Sequence, residues 1–101
     1  MSKSVIYEVF NLLQQIGVVS NESEFSRDWL CRSECYMRTL RFKKATPSIG
    51  TLAICASKLQ HYANKLQTHP QHAVLSTQFS ALSSECNAQI NKDAEALWLI
   101  E

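Results

Sequence analysis

Two glycines and two prolines in 101 residues leave this chain few places to turn sharply. Runs of β-branched residues are short, so the sequence predicts helices joined by brief connections and not a sheet. At this length, with 46% hydrophobic residues, one small domain with a single core is expected. The apolar spacing predicts five helices, near 4–16, 23–30, 34–43, 47–67 and 72–99, with Trp29, Leu40, Leu52, Ala56 and Leu59 meeting in one core. Val5, Val9, Leu12 and Ile16 align on one face of the first, and Gly17 ends it. Ser20 to Ser23 marks a turn and the next cap. The stretch around Pro70 is the clearest boundary: it divides a block at 1–68 from a C-terminal helix at 71–101.

That last helix repeats Leu75, Phe79, Leu82, Cys86, Ile90 and Leu97 at three-and-four spacing and ends in Leu97, Trp98, Leu99 and Ile100. A block of some sixty-five residues offers too little surface to cover all of it. A homodimer is therefore expected, with Phe79, Leu82, Ile90, Leu97 and Trp98 in the interface. The alternative is that the helix folds back and caps its own core.

The stretch from Ser23 to Leu59 holds all four arginines and reads as a two-helix corner. Phe25, Trp29 and Leu30 lie on one side of its first helix. Ser33 offers a side-chain cap to the second, Glu34 supplies charge for its first turn, and Met37 and Leu40 give it an inward stripe. Thr46 precedes Pro47, which suits the first position of a further helix and leaves Arg41 to Ala45 as the connecting loop. Charge is uneven: residues 27–44 carry six basic and two acidic side chains, whereas 71–101 carry one basic and four acidic. The net charge is only +1, below that of a uniformly basic nucleic-acid binder.

The spacing from Met37 to Leu40 to Pro47, then Ser48, Leu52, Ala56 and Leu59, resembles the Cro/repressor (lambda repressor-like) type of bacterial helix-turn-helix. The segments SRDWL, RSECY and RTLR also resemble a small bacterial family of unknown function, over roughly Val5 to Leu59. The sequence departs from the Cro/repressor pattern where the turn glycine is Cys31, the following apolar residue is Arg32, and the loop glycine expected at Lys43 is absent. Two registers stay open. Phe25 and Trp29 fit the core positions of the first helix if the turn carries one extra residue, whereas Leu30 fits without it but puts Ser26 and Arg27 where Leu and Ala are usual.

Catalytic patterns are missing. The three histidines cluster at 61, 69 and 72, there is no Gly-x-Ser-x-Gly turn, and no glycine loop to cradle phosphate. The cysteines at 31, 35, 55 and 86 form no CxxC pair, so neither a metal nor a cofactor is expected. Cys55 and Cys86, among apolar neighbours, read as small core residues. Without a secretory signal or an apolar run of membrane length, the expectation is a cytoplasmic protein with no membrane contact.

The basic residues carry the functional expectation of a small DNA-binding regulator, not an enzyme. The resemblance makes Ser33 to Phe42 the recognition helix. Glu34, Cys35 and Arg38 then project near its N-terminus, with Arg38 suited to guanine O6 and N7. Arg32, Arg41, Lys43 and Lys44 would hold phosphates. The plainer reading makes Glu34 and Arg38 an intrahelical ion pair and Arg41 a solvated residue near a helix C-terminus. A non-catalytic protein-interaction module on the same scaffold is the alternative function, since fold alone cannot choose.

Overall fold

The structure, a computed structural model, describes residues 4–99. It is all-helical, with no strand among the described residues: α1 (Val5–Gln15), α2 (Glu22–Leu30), α3 (Tyr36–Lys43), α4 (Ile49–Leu66), a single 3-10 turn (Pro70–His72) and α5 (Ala73–Trp98). The five expected helices and the long C-terminal one are present. Ile100, which the sequence reading placed in the terminal apolar group, lies outside the described residues.

Each helix end has a local cause. Gly17 takes φ +82°, its N–H donates to Gln14 O, and the Val18 N–H donates to Leu13 O, which is a Schellman closure of α1. Asn21 caps α2 by accepting from Glu24 N at 2.9 Å, while the Glu24 carboxylate accepts from Ser20 N at 2.8 Å. Ser48 caps α4 by accepting from Thr51 N at 3.2 Å. Pro47 therefore sits before the cap, two residues ahead of the first helical position expected for it, and its ring is buried.

The capping role expected of Ser33 is not observed. Ser33, Glu34 and Cys35 form a turn, α3 begins at Tyr36, and the Tyr36 N–H bonds the Ser33 carbonyl and not its hydroxyl. The connection from α2 to α3 is longer than three residues. It spans Cys31 to Cys35, and with that length Phe25, Ser26, Trp29 and Leu30 are all buried, so both candidate registers contribute to one helix face.

The core draws on every helix. Ile6, Val9 and Leu13 from α1 join Phe25 and Leu30 from α2, Met37 from α3, Leu52, Cys55 and Leu59 from α4, and Phe79 and Cys86 from α5. Trp29 is 4% exposed, its ring centroid 5.6 Å from that of Tyr62 and 6.3 Å, edge-on, from that of Phe79. All five residues expected at the core centre, Trp29, Leu40, Leu52, Ala56 and Leu59, belong to it.

α5 runs antiparallel to α4. The Ser76 hydroxyl donates to Ala63 O and the buried Ser83 hydroxyl to Ala56 O, both at 2.8 Å, and the small residues at 56 and 63 let the two backbones approach. On either side of Pro70, α5 and the preceding block contribute to one core. The residues expected at a dimer face divide in two. Phe79 and Leu82 are buried against their own chain, and Ile90 packs on the same core. Only Leu97, at 73% exposure, and Trp98, at 66%, stay uncovered, because α5 continues past the start of α4.

Candidate nucleic-acid interface

α2 and α3 form a corner held from below by α4. Arg32 is the clamp. Its Nε donates to Thr51 Oγ1 at 2.9 Å, its Nη2 to Ser48 Oγ at 3.1 Å, and its guanidinium carbon lies 5.3 Å from the Tyr36 ring centroid. Tyr36 OH reaches the same Thr51 oxygen at 3.3 Å. An Arg whose planar fork is divided between two hydroxyls and stacked on an aromatic is fixed to its own chain. The structure thus places Arg32 in the scaffold of the corner, on the turn expected to present it to phosphate.

Arg41 is held in a similar way. Its Nη1 lies 2.6 Å from Glu22 Oε2, which ties the last turn of α3 to the first turn of α2. The hydrogen bond to that carboxylate raises the Arg41 pKa above its ordinary value, so its charge is permanent. Glu34, outside the helix, pairs with Arg27 at 3.8 Å. The expected Glu34–Arg38 intrahelical pair is replaced by two other contacts, for Arg38 Nη2 lies 2.9 Å from Cys35 Sγ.

What faces outward is then narrow. Met37 and Leu40 point inward, and at 100° per residue the opposite stripe of α3 carries Cys35, Arg38, Thr39 and Phe42. Phe42 is 77% exposed, the largest exposure among the exposed hydrophobics, and sequence reasoning did not single it out. The signal was available: Phe42 falls two positions after Leu40 and so lies off the inward stripe. Lys43 ends α3, and Lys44 follows in the left-handed region at φ +53°, so the two neighbouring lysines leave the helix in different directions. Arg38, Lys43 and Lys44 are exposed, as are Ser33, Glu34 and Cys35 in the turn.

The cysteines divide into two pairs. Cys31 and Cys35 are exposed on the turn, and Cys55 and Cys86 are buried between α4 and α5. The Cys86 thiol, by hydrogen bonding, and burial after it both push the Cys55 pKa far up, so that thiol stays protonated. No group of three His, Cys, Asp or Glu side chains among the described residues is arranged to hold a metal ion. No described helix is long and apolar enough to cross a membrane.

The molecule is thus a small all-helical protein with a basic two-helix corner braced by one long helix hairpin. It belongs to the family described as "Family of unknown function (DUF6626)", whose model matches residues 6–99. The matched span runs through α5, beyond the segment around the corner that carries the sequence resemblance. No curated protein and no solved structure matches the chain.

Proposed function

We propose that this protein binds duplex DNA through α3 and its flanks and acts as a small transcriptional regulator in homodimeric form. The observation that carries the reading is the division of labour among the arginines. Arg32 and Arg41 are bonded to their own chain and fix α3 on α2 and α4, while Arg38 on the outward stripe pairs with no carboxylate among the described residues. Preorganised support beneath one unpaired reader is what a base-contacting helix needs. At eight residues, α3 is about 12 Å long, comparable to the width of the major groove. Lys43 and Lys44 supply phosphate contacts beside it, and Phe42 supplies an apolar surface for a thymine methyl group.

A second reading, a protein-interaction module, draws on the same Phe42, since a side chain that large and that exposed also suits a protein partner. An NMR titration of the intact protein with mixed-sequence duplex DNA at two salt concentrations separates them. Shifts centred on Arg38, Phe42 and Lys44 that weaken steeply with salt support DNA binding. The absence of shifts at low salt transfers the function to the second reading.

A further inference from the structure

The chain carries two uncovered apolar features, one beside each end of α5. Near its start is an open groove of about 630 Å³, walled by Val18, Trp29, Tyr62, Leu66, Leu75 and Phe79. Its rim is mostly cationic. Arg27 and Lys58 line it together with Asp28, whose backbone carbonyl accepts from Lys58 Nζ, and Lys65 lies 6.0 Å from the Tyr62 ring centroid. At the far end of α5, Leu97, Trp98 and Leu99 are 73%, 66% and 54% exposed, a trio of large apolar side chains outside the core.

The two features cannot meet within one molecule. Leu75 and Phe79 belong to the same straight helix as Leu97, and about twenty residues at 1.5 Å each keep them roughly 30 Å apart. They can meet between two molecules. A second α5 laid antiparallel beside the first brings its Leu97 to Leu99 onto the groove, and the same two-fold axis, near the middle of α5, carries the first molecule's trio onto the second groove. Charge favours this pairing, because residues 71–101 carry one basic and four acidic side chains, with Asp93 and Glu95 next to the trio and Arg27, Lys58 and Lys65 around the groove.

We propose that a second copy of this chain is the occupant of the groove: the protein forms a closed, two-fold dimer by reciprocal exchange of the Leu97–Trp98–Leu99 end, with Trp98 seated against Tyr62, Leu66 and Leu75. Each exchange buries a Trp of roughly 150–250 Å² together with two leucines and the facing groove. Two of them reach on the order of 1,000 Å², the lower bound for a specific interface. Closure by symmetry also stops the contact from propagating into a filament. The inference does not rest on DNA binding.

The test is analytical ultracentrifugation of the full chain, its Trp98→Glu and Val18→Glu variants, and their equimolar mixture, with circular dichroism to confirm helicity. Both substitutions fall at exposed positions outside the core. A dimer is expected for the parent chain, and each variant should raise the dissociation constant roughly 30-fold or more, as loss of a central interface residue does. The mixed dimer keeps one intact exchange and concentrates both substitutions in the other, so the mixture should self-associate more than either variant alone and less than the parent chain. A parent chain that is monomeric at every attainable concentration overturns the proposal. So does a Val18→Glu variant that dimerises like the parent while Trp98→Glu does not, since the ends would then pack on each other.

Discussion

Arg32 Nε donates to Thr51 Oγ1 at 2.9 Å, joining the turn after α2 to the first turn of α4 across nineteen residues of sequence. Thr51 is fully buried, and its hydroxyl also accepts from Tyr36 OH and shares a hydrogen bond with the Ser48 hydroxyl at 2.9 Å, so one arginine organises the polar contacts under the corner. Removing it costs a charge-assisted hydrogen bond and the stacking on Tyr36. Arg32→Ala is expected to lower unfolding stability by about 1–2 kcal/mol in urea denaturation, discounted for the solvent around the guanidinium. Arg32→Lys should recover little, because an ammonium cannot divide itself between two hydroxyls and an aromatic face.

Cys31 and Lys44 both adopt positive φ, +54° and +53°, at the ends of α2 and α3. A side chain in that region costs roughly 1–2 kcal/mol, whereas glycine is at ease there and loses about 0.5–1 kcal/mol through the entropy of its unfolded chain. Cys31→Gly and Lys44→Gly should each therefore stabilise the fold by a few tenths to about 1 kcal/mol, while Cys31→Ala should not. Thermal unfolding of the three variants checks this. The same change at Lys44 should weaken DNA binding, so stability and affinity move in opposite directions at that position.

These two positions also mark where the sequence was legible and where it was not. Helix faces follow from local spacing except on α1, where Ile6, Phe10 and Leu13 are buried with Val5 and Val9 while Ile16 is exposed, and Gly17 closes α1 as a glycine at that place should. The cysteine standing where the Cro/repressor pattern has its turn glycine does adopt the conformation glycine would prefer, but a cysteine gives no sign of it. Long side chains were less readable still. Whether Arg32 meets a phosphate or Thr51 depends on a contact nineteen residues away, which no local pattern encodes. Periodicity placed Phe79 and Leu82 on an apolar face correctly, yet a period names a face and not its occupant, and the occupant is the chain's own α4. Ser26 is the reverse case. Its hydroxyl is buried without a hydrogen-bond partner among the described residues, at the position that one of the two registers gave to a core leucine.

The buried thiol pair predicts an alkaline limit to stability. Cys86 and the surrounding apolar helices hold the Cys55 thiol protonated far above its ordinary range. In the unfolded chain it ionises near 8.5. The folded state then holds a proton that the unfolded state has lost, so the contribution is fully present below about pH 8.5 and declines as the pH rises further, by at most about 1.4 kcal/mol per pH unit. Under reducing conditions, the melting temperature should fall between pH 8 and pH 10. Cys55→Ala should be less stable at pH 7 but lose less over that interval. Equal slopes for the two proteins would show that other groups set the alkaline limit.

The DNA reading separates three basic residues by what each is bonded to. Among the described residues Arg38 hydrogen-bonds Cys35 Sγ and no carboxylate, so its fork can turn outward at little cost. If it pairs with guanine, Arg38→Ala should remove about 1–3 kcal/mol of preference for the best site and leave nonspecific binding less changed. Lys44→Ala should weaken binding to all sequences about equally and lower the salt slope by about one, because one fewer counterion is released. Arg41 gives the internal comparison. Its guanidinium is engaged by Glu22, so Arg41→Ala should change the salt slope less than Lys44→Ala does, and Glu22→Gln, which frees the arginine and removes a nearby negative charge, should strengthen nonspecific binding. Fluorescence anisotropy with a labelled duplex, first of random sequence and then of a selected site, measures all four variants. A salt slope that none of them changes would place the DNA contact outside α3 and its flanks.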